Sequence, residues 1–193
     1  MCVRHFSFGW TGALVAAALV AASALASPLA SAETTPSGAP VVTVVGQVGR
    51  TNRDRFEPFS DAFFNYHEKS FTRAFAFDRA MLQALPQHEI TVEAEGWPRA
   101  VTLRGPRLRS VLAEVAAKQG AGVSLMALDG YAIELSAAEL NGMDWIVALS
   151  ADGAPLGIGG RGPTWIAHSA GDGPASAELE ARWIWSVFLI EVK

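Results

Sequence analysis

The chain has 193 residues, is 50% hydrophobic and carries a formal net charge of −4. That length supports one domain with a full core. The acidic balance and the lack of any basic run exclude nucleic acid and anionic membrane surfaces as natural partners.

Residues 1–32 read as a secretory signal: a weakly basic start (Arg4, His5), an apolar run over 12–26, Pro28, then the small-x-small stretch Ala30-Ser31-Ala32. The run is mostly alanine and too weakly apolar to span a bilayer. Cleavage would take Arg4 from the 15 basic residues and none of the 19 acidic ones, giving −5. It would also remove Cys2, the single cysteine. Thiolate catalysis, disulfides and cysteine metal ligation are then excluded from the mature form. No other stretch is apolar enough for membrane insertion.

Residues 33–40 (ETTPSGAP) read as a flexible tether and 41–193 as a single domain. Residues 41–48 are β-branched and predict a strand. Residues 51–75 are irregular and rich in phenylalanine, and predict a surface excursion with some helix. Its aromatics read as a satellite core or a partner patch. Residues 77–85 predict a short helix with Asp78 near its start and Pro86 as its stop. Residues 90–94 and 100–103 predict strands around the turn Gly96-Trp97-Pro98. In 107–119, Leu108, Val111, Leu112 and Val115 follow the helical i, i+3, i+4, i+7 spacing, with Gly120 at the C-cap. Residues 123–128 and 131–135 flank Asp129-Gly130, a hairpin signal. Ser136-Ala-Ala-Glu139 is a capping box. Strands are predicted at 145–150, 164–168 and 183–192, with a turn at Asp152-Gly153. The last segment is almost wholly apolar and predicts a central strand buried on both faces. The sum is an α+β fold of about seven strands and two or three short helices, without a βαβ rhythm.

Nucleophile and metal motifs are weak. No serine sits in a G-x-S-x-G elbow. His67, His88 and His168 form no i, i+4 pair, so a metal held by this chain is not expected. Gly157-Ile-Gly-Gly-Arg-Gly162 looks like a phosphate loop, but the strand-like Pro163-Thr-Trp-Ile follows where a helix would be needed. It reads as a flexible rim. The tryptophans Trp97, Trp145, Trp165, Trp183 and Trp185 are more informative. Trp97 sits in a Gly/Pro turn and Trp165 follows the glycine loop. Both positions suit stacking on a flat heterocycle, with core packing as the alternative. Glu95, Asp129 and Asp144 lie near these loops in sequence. A carboxylate accepts two hydrogen bonds from an amino-pyrimidinone edge; Asp129 also suits a plain turn.

From residue 76 onward the motif order resembles the sulfite-oxidase-type molybdopterin-binding fold. The motifs are FDRAMLQALPQ (77–87) with Ile90-Thr-Val, Leu103-Arg-Gly-Pro106, Ala127-Leu-Asp-Gly-Tyr131, Gly162-Pro163 with Trp165-Ile166, and Arg182-Trp-Ile-Trp185. Residues 41–46 would be its first strand and 54–75 an insertion. Catalytic members of that family hold molybdenum through a cysteine in the loop that here reads Glu93-Ala-Glu-Gly-Trp-Pro98. The chain is more similar to a cysteine-free subgroup of periplasmic pterin-binding regulators. Trp97, Asp129, Tyr131, Arg161, Trp165 and Trp185 match that pattern. Two departures stand: the hairpin has one polar residue fewer, and Arg161 adjoins Gly162.

The resemblance implies a periplasmic, non-catalytic protein that binds a pterin or molybdopterin-like ligand without a metal. Trp97, with Trp165 or Trp185, would stack on the ring. Asp129 or Glu95 would accept from its amino and imino groups, and Arg161 would reach a carbonyl oxygen or ring nitrogen. The ligand state would be reported to a membrane-bound signalling protein such as a cyclic-di-GMP enzyme. Two other readings stay open: a molybdopterin-dependent oxidoreductase with a non-cysteine metal ligand, and an interaction module with a vestigial pocket that docks through 56–75.

Overall fold

The computed structural model describes residues 1–3, 5 and 35–193. The expected signal segment and the start of the tether fall almost wholly outside them. The chain divides into two units, Met1–Ser31 and Ala32–Lys193, and the description concerns the second. Among the described residues no helix is long and apolar enough to cross a membrane.

β1 (Pro40–Gly46) is the β-branched run expected from its sequence, buried at Val42, Thr43, Val44 and Val45. α1 (Ala62–Tyr66) is the helical turn of the Phe-rich excursion. That excursion ends slightly earlier than expected, because Phe75 already lies in β2 (Ala74–Asp78). All five residues of β2 are buried, so the helix predicted over 77–85 shrinks to α2 (Arg79–Ala84). Phe56, Phe64 and Phe71 form a small second core with Val45, Ala74, Phe188 and Leu189. Phe59 and Tyr66 stay exposed.

Asp78 ends β2 and caps α2. Its carboxylate accepts from Met81 N (2.8 Å), Ser37 N (2.8 Å), Gly38 N (2.8 Å) and Ser37 Oγ (3.2 Å). These donors, the Met81 amide first, hold its pKa below the ordinary aspartate range, against the opposing effect of burial. A depressed carboxylate pKa adds stability above the unfolded value of about 4, which is lost as pH falls through the folded value. Asp78→Ala should therefore cost about 1–3 kcal/mol at neutral pH and flatten the acid limb of the stability profile. Urea midpoints measured from neutral to acid pH test this; an unchanged acid limb would refute it.

β3 (Gln87–Val92) and β4 (Val101–Pro106) form the expected antiparallel pair, from Gln87↔Pro106 to Val92↔Val101. α3 (Leu108–Glu114) is shorter than its apolar spacing predicts. The left-handed residue at its end is Ala116 (φ 47°), ahead of the equally left-handed Gly120 (φ 74°), and Gly49 N bonds the freed carbonyls of Val115 and Ala116. A tertiary contact thus ends the helix early. β5 (Val123–Ala127) and β6 (Ala132–Leu135) flank the Asp129-Gly130 turn. α4 (Ala137–Gly142) carries the capping box at Ser136 and Glu139.

The stretch 145–155 splits into β7 (Ile146–Ala148), β8 (Ser150–Ala151) and β9 (Ala154–Pro155). β10 (Trp165–Ala167) and α5 (Ala177–Glu180) follow. The predicted last strand is two: β11 (Ile184–Trp185) and β12 (Val187–Val192), separated by Ser186 at φ 55°. Ser186 makes the break because it serves three partners. Its N–H donates to Arg161 O (3.1 Å), its Oγ to Gly162 O (2.7 Å), and its carbonyl accepts from Leu128 N (3.0 Å).

The strands form three sheets, ordered β2-β1-β12-β5-β6, β11-β10-β7 and β3-β4-β8-β9. β12 is central in the first, parallel to β1 and antiparallel to β5, which explains a sequence that is apolar except at Glu191. The architecture is α+β as expected, but the described residues form five short helices instead of two or three and twelve short strands instead of about seven.

Candidate ligand-binding site

Six of the seven expected site residues line one cavity of about 420 Å³: Trp97, Asp129, Tyr131, Arg161, Trp165 and Trp185. They come from four separate parts of the chain. Glu95 does not join them. It is exposed, and its backbone N–H bonds Ala175 O (3.0 Å), which ties the β3–β4 loop to the approach to α5.

Trp97 is half-buried on the β3–β4 turn, shaped by Gly96 at φ 80°. Its indole N–H donates to Glu180 Oε1 at 2.7 Å. Trp165, at the start of β10, pairs with Trp185 on β11. Strand alternation does not give Trp183 and Trp185 one environment. Trp183 precedes β11 and is buried, whereas Trp185 is 45% exposed, yet both line the cavity. Trp97 lies 5.8 Å from Trp165 and 5.9 Å from Trp183, ring centre to ring centre.

The glycine loop delivers Arg161. Its guanidinium carbon sits 4.7 Å from the Trp97 ring centre and 4.5 Å from that of Trp165. Among the described residues the guanidinium has no hydrogen-bond or ion-pair partner. Two cation–π contacts hold it in place with its N–H donors free. Gly162 is required next to it. A Cβ there would stand 2.5 Å from the Leu156 carbonyl carbon and 2.6 Å from Gly157 N.

The hairpin supplies Asp129 and Tyr131. Asp129 Oδ1 accepts from Tyr131 N (2.9 Å), a turn contact that leaves its second oxygen available. The Tyr131 hydroxyl donates to Ala181 O (2.9 Å) and so fastens the hairpin tip to the end of α5. Behind the tryptophans, His168 Nδ1 contacts Ser169 O (2.7 Å) and its ring packs on Trp145 at 4.3 Å. Burial above all pushes its pKa below the ordinary histidine value, against the Ser169 carbonyl and with a smaller push from the Arg182 charge.

Sequence reasoning did not find Glu180 or the helix that carries it. The signal was present: Ser176 before Ala-Glu-Leu-Glu is a cap followed by helix formers, and the Ser176 side chain accepts from Leu179 N. Asp144, also near these loops in sequence, instead pairs with Arg107 and Arg109.

A thiolate-held metal group does not fit these residues. The lining contains no cysteine or histidine. The position expected for a cysteine carries Trp97, already engaged with Glu180 and Arg161. No cluster of three or more metal-ligating side chains occurs among the described residues. The lining carries one cation, Arg161, against two carboxylates, Asp129 and Glu180, which disfavours a phosphate-bearing ligand.

The fold is similar, at a distance, to the sulfite-oxidase-like type. The structure of the sulfane dehydrogenase SoxCD from Paracoccus pantotrophus matches with a TM-score of 0.52 and 13% identity. The match covers 78% of this chain and 37% of that one, so the chain spans well under half the length of that protein. No family model matches the sequence, and no curated protein does.

Proposed function

We propose that this chain is an exported, non-catalytic binding protein for a pterin without a phosphate tail, and that a membrane-bound signalling partner reads its ligand state. One observation carries the reading: an aromatic cavity holds a guanidinium with free donors on one wall and a carboxylate with a free oxygen on another. A pterin ring needs a flat apolar surface, a donor for its carbonyl oxygen and an acceptor for its adjacent amino and imino groups. Trp97 or the exposed Trp185, Arg161 and Asp129 provide them in that order. The exposed Phe59 and Tyr66 support docking of the partner beside α1, and a cyclic-di-GMP enzyme is the partner class the resemblance implies.

Fluorescence titration tests the ligand. Adding pterin to the purified protein should quench tryptophan emission saturably, because four indoles line the cavity. No quenching and no binding heat at tens of micromolar pterin would overturn the proposal.

A further inference from the structure

A second cavity, of about 510 Å³, backs onto the first. The two share Trp97, Arg161 and Trp165 and nothing else, so the stacked guanidinium is their common wall. The second differs in chemistry. Pro98, Val101, Ala154 and Leu156 line it, and its charged rim pair, Arg99 and Asp152, is already joined at 2.5 Å. A hydroxylated chain placed there would leave its hydroxyls facing apolar walls without partners, a cost that an aryl or alkyl group avoids.

The shared wall is suited to joining the two spaces. Arg161 follows the loop Gly157-Ile-Gly-Gly, in which Gly159 has φ 95° and Ile158 is 81% exposed. Among the described residues no hydrogen bond ties the guanidinium to its place. It is free to turn toward a polar atom on a ligand that passes between the cavities.

Resting on the pterin reading, we infer that the second cavity is a subsite for an apolar, aryl-type substituent on the ring held in the first, with Arg161 donating to the polar link between them. The preferred ligand class is then an aryl-substituted pterin, not one with a short polyhydroxylated chain.

Calorimetry with three probes tests this. Pteroic acid, which carries an aryl substituent, should bind the wild-type chain at least about tenfold tighter than unsubstituted pterin, and neopterin, with its trihydroxypropyl chain, no tighter than pterin. Ala154→Trp narrows the second cavity at a residue that does not line the first. It should abolish the pteroic acid advantage and leave pterin affinity unchanged. Equal affinities for pterin and pteroic acid, neopterin binding as tightly as pteroic acid, or equal weakening of pterin and pteroic acid in Ala154→Trp each overturn the subsite while leaving the pterin reading intact. Failure of pterin and pteroic acid alike to bind overturns both.

Discussion

Replacing Trp97 with alanine is expected to weaken pterin binding by roughly 30- to 150-fold, a loss of about 2–3 kcal/mol. Trp97 is where three parts of the site meet. Its ring supports Arg161 from one side and faces Trp165 and Trp183, and its N–H satisfies Glu180. Truncation removes a stacking surface, releases the guanidinium from one of its two indoles and leaves a half-buried carboxylate without its donor. Trp97→Phe keeps a ring face but not the N–H, and should fall between, about 1 kcal/mol weaker than wild type. Calorimetry on both variants measures the loss, and a thermal melt shows that the fold persists. Wild-type affinity in a folded Trp97→Ala protein would remove Trp97 from the site.

Gly105→Ala is expected to cost at least about 3 kcal/mol of stability and to abolish binding with it. At Gly105 strand β4 crosses the backbone of β7, and a Cβ there would overlap the Val147 carbonyl oxygen and crowd the Ala148 Cα (2.7 Å). Backbone cannot yield as a flexible side chain does. The crossing also sets the site, since β4 leads back to the Trp97 turn while β7 pairs with β10, which carries Trp165. Forcing the strands apart separates two walls of the cavity. Gly142→Ala is the control. It ends α4 with no atom within 4 Å of the added Cβ and should be neutral or slightly stabilising. Equal urea midpoints for Gly105→Ala and Gly142→Ala would refute the argument.

Local signals were legible where local physics decides. The Ser136/Glu139 capping box and the Asp129-Gly130 hairpin need only neighbouring residues, and both form as their sequences predict. Signals failed where distant backbone intervenes. α3 stops at Glu114 because Gly49 takes over the carbonyls beyond it, and the apolar run 183–192 breaks at Ser186 because Arg161, Gly162 and Leu128 bond there. Phe77 read as helix because it adjoins a capping aspartate, but pairing with Val42 on β1 places it in β2. Glu95 and Glu180 show the same limit within the site. Both are acidic residues near candidate loops, and only Glu180 meets the Trp97 indole.

By itself the sequence determined the α+β composition, the single cysteine and the residue types able to hold a flat, hydrogen-bonding ring. Those properties depend on the count and short-range spacing of side chains. Tertiary structure alone decided that Trp97, Asp129, Arg161, Trp165 and Trp185, far apart along the chain, share one cavity. It also decided that Arg161 stands between that cavity and a more apolar one. The physical reason is that strand pairing and the close approach at Gly105 bring those segments together, and neither is encoded in any one segment.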